Sequence, residues 1–460
     1  MSGKTARRIS IFLHSLLFLA IASAVLTYSY VSEYALKGNW HPEYYTRVSY
    51  ILLVPTWQKV LKDGFTLLLL LFSALLPPTN TGKSFSSNRG LKTSYALCLC
   101  VLGMAIARSV TSELSLVAII SCFRPIFVVF ALFFFCHRHL NRYYLRWVFE
   151  WVNVLAFIQV FYAVRQRLFA VLYNGVSWLD NGTVRSVGTF IGPNTMGLFL
   201  ALVFYLNFEI LPRNRWRYFL LLLCVIGVFL SGSRSATLIV VLLTCFSLFN
   251  QIKRGFKTNK ERSLMTALGA ISLPAVLIIL ILQVNSLNTR AAGTSASSGR
   301  LEILFNYIDS SDTFSLLFGK HLGFGSEILF TLHKNGILKA DSSSLFLADS
   351  TWASLLAQFG FLGLGAIIIT IYYLWKTPEY IIRPYKPAIK NNLIGQRSGL
   401  LVFIAIISSV AVLQESYAIL PMVLALLFAL KLERPLYQTY YTIEKNDAYG
   451  NLEGEEINGN

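Results

Sequence analysis

Residues 114–136 read LSLVAIISCFRPIFVVFALFFFC, a stretch with one charged side chain, Arg124. A run of that length and polarity suits a helix crossing the hydrocarbon of a bilayer, because a helix satisfies its own backbone polar groups where no water can. Comparable runs recur at 66–76, 218–230, 264–284 and 399–413. Over all 460 residues, 55% are hydrophobic and 13% charged. That is about half the charge of a soluble globular chain. The sequence therefore predicts an all-α polytopic membrane protein with about twelve transmembrane helices. They fall near 9–30, 60–77, 94–112, 114–136, 147–164, 191–209, 218–233, 235–251, 264–284, 351–375, 399–414 and 416–431.

Forty Lys and Arg against 22 Asp and Glu give a formal charge of +18. In a soluble protein that excess would point to nucleic acid, but here topology accounts for it first. With Lys4, Arg7 and Arg8 in the cytoplasm, even-numbered connections become cytoplasmic and hold 25 of the 40 basic residues. They include the clusters at Arg213, Arg215 and Arg217 and at Lys253 to Arg262. The positive-inside rule so places both termini in the cytoplasm and calls for no nucleic acid. The first segment reads as a retained span with interfacial Tyr28 and Tyr30, and 31–60 as an aromatic-rich segment on the outer surface. All six cysteines lie in or at the ends of apolar runs, so neither disulfides nor a metal cluster is expected. Three regions follow: an N-terminal transmembrane part over 1–184, a core over 185–431 with a large external loop at 285–350, and a tail over 432–460 read as disordered.

Polar and cationic residues gather at three places on the expected outer face. The first is the connection 165–190, with Arg165, Arg167 and Arg185, leading into RSVGTFIGPNTMG at 185–197. Gly and Pro break the helix there, which would expose backbone N–H groups beside Arg185 and Asn194, and the next helix turns its positive end the same way. Such a place suits a phosphate, or else it is a capped helix start with an interfacial arginine. The second is the tight turn SGSRSA at 231–236, where Arg234 either snorkels or serves a function. The third is the external loop, with Arg290, the SGRLE run around Arg300, FGKHLGFGS at 318–326, and ADSTWASLLAQFGFLGLG at 348–365. Asp349 there is an N-cap or a group that engages a sugar hydroxyl. His321 and His333 are weaker candidates, each a lone histidine in a polar loop that reads as solvated. Short helices are expected near 300–309 and 342–348. Arg124 reads as structural, paired with Glu150 or a backbone carbonyl, or else approaching a lipid headgroup.

Taken in order, these motifs resemble the family of O-antigen ligases and O-antigen or capsule polymerases. RSVGTFIGPNTMG is similar to that family's Arg-x-x-Gly-Thr-Phe followed by Pro-Asn-x-x-Gly, and SGSRSA to its Ser-Arg-x-Ala turn. FGKHLGFGS and DSTWASLLAQFGFLGLG are similar to its Gly-rich segment and loop-closing helix, and the likeness covers roughly 185–375. The resemblance implies an outward-facing membrane glycosyltransferase of the C type in the plasma (inner) membrane, inverting and without metal or other cofactor. It implies glycan on undecaprenyl diphosphate as donor and acceptor, membrane lipid around it, and a chain-length regulator as a further partner. It makes Arg185, Arg234 and Asp349 catalytic and leaves Arg300, Asn194, Arg290 and His321 to bind substrate. Ligases of the family usually have His-Asn where this chain has Asp349-Ser350, which favours polymerisation of repeat units over ligation of finished glycan to lipid A core or another acceptor. A transporter or flippase is the rival of another class. It would show related halves and midplane ionisable residues, whereas this sequence shows no internal symmetry and gathers its polar groups at the expected outer face.

The charge distribution makes the topology testable. Cysteine labelling in intact cells should leave cysteines introduced at 85 and 258 protected and label one at 320; the reverse pattern would invert the whole assignment.

Overall fold

The computed structural model describes residues 3–27, 29, 54–79, 89–112, 114–140, 142–173, 178–180, 183–190, 192–210, 215–233, 235–241, 243–244, 296–326, 329, 347 and 351–376. They are mainly helical, with one short ribbon and non-helical segments at 186–190 and 319–326. Helices α1 (Gly3–Val25), α2 (Thr56–Leu75), α3 (Arg89–Thr111), α4 (Leu116–His139) and α5 (Arg142–Tyr173) come first. The strands β1 (Trp178–Asp180) and β2 (Thr183–Arg185) follow, antiparallel, with Trp178 opposite Arg185. Next are α6 (Pro193–Tyr205), which widens into a π turn over Leu206–Ile210, and α7 (Arg215–Ser231). Later in the chain come α8 (Ala296–Ser310), α9 (Thr313–Phe318) and α10 (Thr351–Lys376). Stretches at Thr5–Val25, Trp147–Leu168 and Trp352–Thr370 are long and apolar enough to cross a membrane, and shorter apolar helices lie at Ala96–Thr111, Pro193–Phe208 and Trp216–Ser231. The expected spans at 264–284, 399–414 and 416–431 lie outside the described residues, as do the 342–348 helix, save Leu347, and the tail.

Local chemistry sets the helix ends. Ser115 caps α4 by accepting from the Ala118 N–H, and Gly192 with Pro193 opens α6, proline fitting a first turn whose N–H has no helical partner. Helix α5 runs further than the sequence suggested, through Arg165 and Arg167 to Tyr173. The reason is the absence of Gly and Pro between 142 and 173; the first breaker is Asn174-Gly175. Arg165 rests its guanidinium over Phe161 and Tyr162, at 5.6 and 5.9 Å from the ring centroids. The external helix expected near 300–309 is α8, and α9 beyond it was not foreseen.

Helix α6 is the centre of the larger core. From Thr195 to Tyr205 every side chain is buried, as fits a helix apolar on all sides. Around it pack Leu17 and Ile21 of α1, Phe149 and Val152 of α5, and Cys224 and Val228 of α7. Arg124 of α4 takes Asp63 of α2 as its ion-pair partner, a carboxylate the sequence reading had not considered for it. A second, smaller core joins Tyr307 of α8, Phe324 and Leu347 to Ala353, Leu356 and Ala357 of α10. Ala118 and Cys122 of α4 meet Leu322 and Leu329 in a third cluster. Thus α4 contributes to both the larger core and the loop-facing side.

Helix α10 bends at Gly360, whose φ of 65° and ψ of −173° belong to glycine. A Cβ there would overlap the Leu317 carbonyl of α9. Replacing Gly360 by Ala should therefore lower stability by about 1–3 kcal/mol or more from backbone strain alone. Gly365→Ala, five residues on with open space around it, should be neutral or gain up to about 1 kcal/mol. Thermal melts of the two detergent-purified variants give the comparison; equal melts would show that the bend is not needed.

Candidate functional site

The RSVGTF segment lies buried on α5, fixed by two glutamines two helical turns apart. Gln166 Oε1 accepts from the N–H groups of Val187 and Gly188, both at 2.9 Å, and its Nε2 donates to the Gly188 carbonyl at 2.7 Å. Gln159 Oε1 accepts from the Thr189 N–H at 2.8 Å, and the Thr189 hydroxyl donates to the Val25 carbonyl of α1 at 2.6 Å. The Ser186 hydroxyl donates to the Ala163 carbonyl at 2.8 Å. Here the structure corrects the sequence reading. The backbone N–H groups of 187–189 do not wait for a phosphate; the glutamine side chains occupy them, because no buried donor is left unmatched cheaply.

What the segment presents instead is Arg185. Its Nε donates to the Ser231 carbonyl at 3.0 Å and one terminal nitrogen donates to Asn194 Oδ1 at 2.7 Å. The Ser186 N–H donates to the Leu230 carbonyl at 3.0 Å, tying the same place to the end of α7. Gly232 faces the guanidinium, where an added Cβ would lie 3.3 Å from Nε. Gly197 lets α6 approach the turn, since its Cβ would stand 2.6 Å from Ser231 Oγ and 2.7 Å from Ser233 Cβ. Two stretches distant in sequence, RSVGTFIGPNTMG at 185–197 and SGS at 231–233, so meet around one half-buried guanidinium whose direction is fixed. Asn194 orients that group. Arg234 follows Ser233 directly but lies outside the described residues, as do Arg290, His333 and Asp349; Arg300 is placed on α8.

The Gly-rich loop 318–326 docks on the start of α10 and the end of α3. The Lys320 N–H donates to the Ala357 carbonyl at 2.8 Å, and the Gly323 N–H to Gln358 Oε1 at 3.0 Å. The Leu322 N–H donates to Ser109 Oγ at 2.9 Å. His321 is not a solvated loop residue. It is 5% exposed, its ring lies 5.2 Å from that of Phe324, and Nδ1 is 3.2 Å from the Leu322 carbonyl, to which it donates. Burial pushes its pKa below the ordinary 6.5, with Lys320 and Arg108 adding to the effect. The ring is therefore neutral near pH 7 and supplies no cation to a ligand.

Gln159, Gln166 and Gln358 were missed by the sequence reading. The signal was present for Gln159 and Gln358, each set among apolar neighbours where a polar side chain needs a partner, whereas Gln166 lies between Arg165 and Arg167 and gave none. No family model matches the chain, and no curated protein matches it.

Two predictions follow from this geometry. Gln166→Leu strands the Val187 and Gly188 N–H groups and should cost about 1–3 kcal/mol for each, read as a lower melting temperature. For His321, the unfolded chain binds more protons than the folded one between the depressed folded pKa and 6.5, so stability should fall as pH drops through and below 6.5. His321→Gln should flatten that slope in melts between pH 5 and 8; an unchanged slope would assign it to other groups.

Proposed function

We propose that the protein is an outward-facing membrane glycosyltransferase that polymerises undecaprenyl-diphosphate-linked oligosaccharide repeat units into a surface polysaccharide. The reading takes the chain as about twelve spans in the plasma membrane, both termini cytoplasmic, with the motifs at the outer face. The observation that carries it is the Arg185 guanidinium, held by Ser231 and Asn194 where two stretches of the family likeness meet. An oriented guanidinium suits a diphosphate leaving group, whose negative charge grows as the glycosidic bond breaks, and it stabilises that charge without a metal. In the proposed step an acceptor hydroxyl oxygen bonds to the anomeric carbon in line. The carbon–oxygen bond to the diphosphate breaks, undecaprenyl diphosphate leaves with the electron pair, and the hydroxyl proton passes to Asp349 or solvent. Arg234 is the second clamp, Arg300 and Arg290 position lipid or sugar, and Asp349 orients the acceptor, its carboxylate being a weak base at an ordinary pKa of about 3.9.

Purified full-length protein elongating a defined lipid-linked oligosaccharide tests the reading. Arg185→Lys keeps the charge but loses the fork, and should cut elongation about 100- to 1,000-fold while the protein stays inserted and folded. Chelator should leave the rate unchanged. Elongation by the variant at the normal rate would remove the clamp. In cells, loss of a polymerase leaves single repeat units at the surface, whereas loss of a ligase strands long chains on the carrier lipid.

A further inference from the structure

A second cationic place lies away from Arg185, where the end of α3 meets α9. The Arg108 guanidinium sits 4.8 Å from the centroid of Phe314, and the Leu322 bond to Ser109 sets Lys320 and His321 beside it. Lys320 Nζ lies 4.5 Å from the Phe324 ring centroid and 6.0 Å from that of Tyr307. Arg108 Nη1 is buried without a hydrogen-bond partner, and the buried hydroxyls of Tyr307 and Ser311 lie within reach of one another. The nearby acid, Asp312, is engaged as the N-cap of α9, its Oδ2 accepting from the Ser315 N–H at 2.9 Å. Among the described residues neither Arg108 nor Lys320 forms an ion pair. An unmatched buried guanidinium nitrogen is an uncommon cost for a fold to carry.

The surface around them is apolar. Phe314 and Leu317, three residues apart on one side of α9, are 58% and 43% exposed. Met104, one turn before Arg108 on the same side of α3, is 36% exposed. This patch continues the exposed face of an apolar helix, so its natural cover is lipid acyl chain, with the cations at headgroup level.

We propose that this place is a lipid-binding site, in which α9 lies in the outer interface and Arg108 and Lys320 hold the phosphate of an anionic bilayer phospholipid. The site requires the chain to be in a membrane and does not depend on glycosyl transfer. A polyprenyl diphosphate offers the same headgroup chemistry, but the breadth of exposed apolar surface fits a bulk lipid of the surrounding leaflet. Delipidated full-length protein titrated with phosphatidylglycerol, and read by thermal shift and by native mass spectrometry of retained lipid, tests it. Arg108→Gln or Lys320→Gln should weaken phosphatidylglycerol binding about fivefold each and the pair about thirtyfold. Arg108→Lys should retain most of the affinity, and Arg8→Gln, at the other end of the bundle, should change nothing. Melts without lipid check that the variants fold, and Phe314→Ser offers an independent loss of retention with both cations intact. Equal binding of zwitterionic phosphatidylcholine, equal protection by inorganic phosphate, preference for undecaprenyl diphosphate, or unchanged affinity in the double variant would each overturn the proposal.

Discussion

Backbone that leaves the helix within an apolar bundle must still find partners for its N–H and C=O groups, and in this protein glutamine side chains provide them. Gln159 and Gln166 close the backbone of 187–189, and Gln358 accepts from Gly323. A glutamine offers both acceptor and donor at the end of a flexible stem, so one side chain can satisfy a turn that water would otherwise solvate. Gln166 does this with three bonds at once. Without such supports the Gly-rich segments could not lie against apolar helices, and Arg185 would have no fixed origin.

The same supports divide labour between loops. Segment 185–190 is stitched to α5 and α1, and its arginine reaches to Asn194 of α6 and Ser231, the last residue of α7, so four helices determine where one guanidinium stands. Loop 318–326 is stitched instead to α3 and α10, and the bend at Gly360 admits the backbone of α9. Under the proposed function, a site assembled across both would draw its charge from the first group and its acceptor-side residues from α10 and the loop before it. Preorganisation of that kind is where a diphosphate-leaving reaction gains most, because the donors need not move as charge develops.

Small residues make the close approaches possible. Gly197 brings α6 against Ser231 and Ser233, as small residues do at helix contacts in membranes. Gly197 and Gly232 therefore act as spacing devices, and the backbone N–H groups that the sequence left exposed are bonded to glutamine side chains. His321 illustrates the complementary case: packing against Phe324 turns an apparent surface histidine into a neutral interior one.

The sequence alone determined the helical class, the placement of apolar helices such as α2, α4, α6 and α7, and the segments around Arg185 and Ser231 as places of interest. Those features are written in local composition: runs of apolar residues, helix breakers and isolated charges. It did not determine the length of α5, where the absence of a breaker outweighed the polar residues at its end, nor the partner of Arg124, nor the fate of the N–H groups after Arg185. Each of these depends on residues distant in the chain, Asp63 for one and Gln159 and Gln166 for the other, that only packing brings within hydrogen-bonding reach. Hydrogen bonds and ion pairs act over a few ångströms, so tertiary structure alone decides which polar groups in an apolar chain face one another.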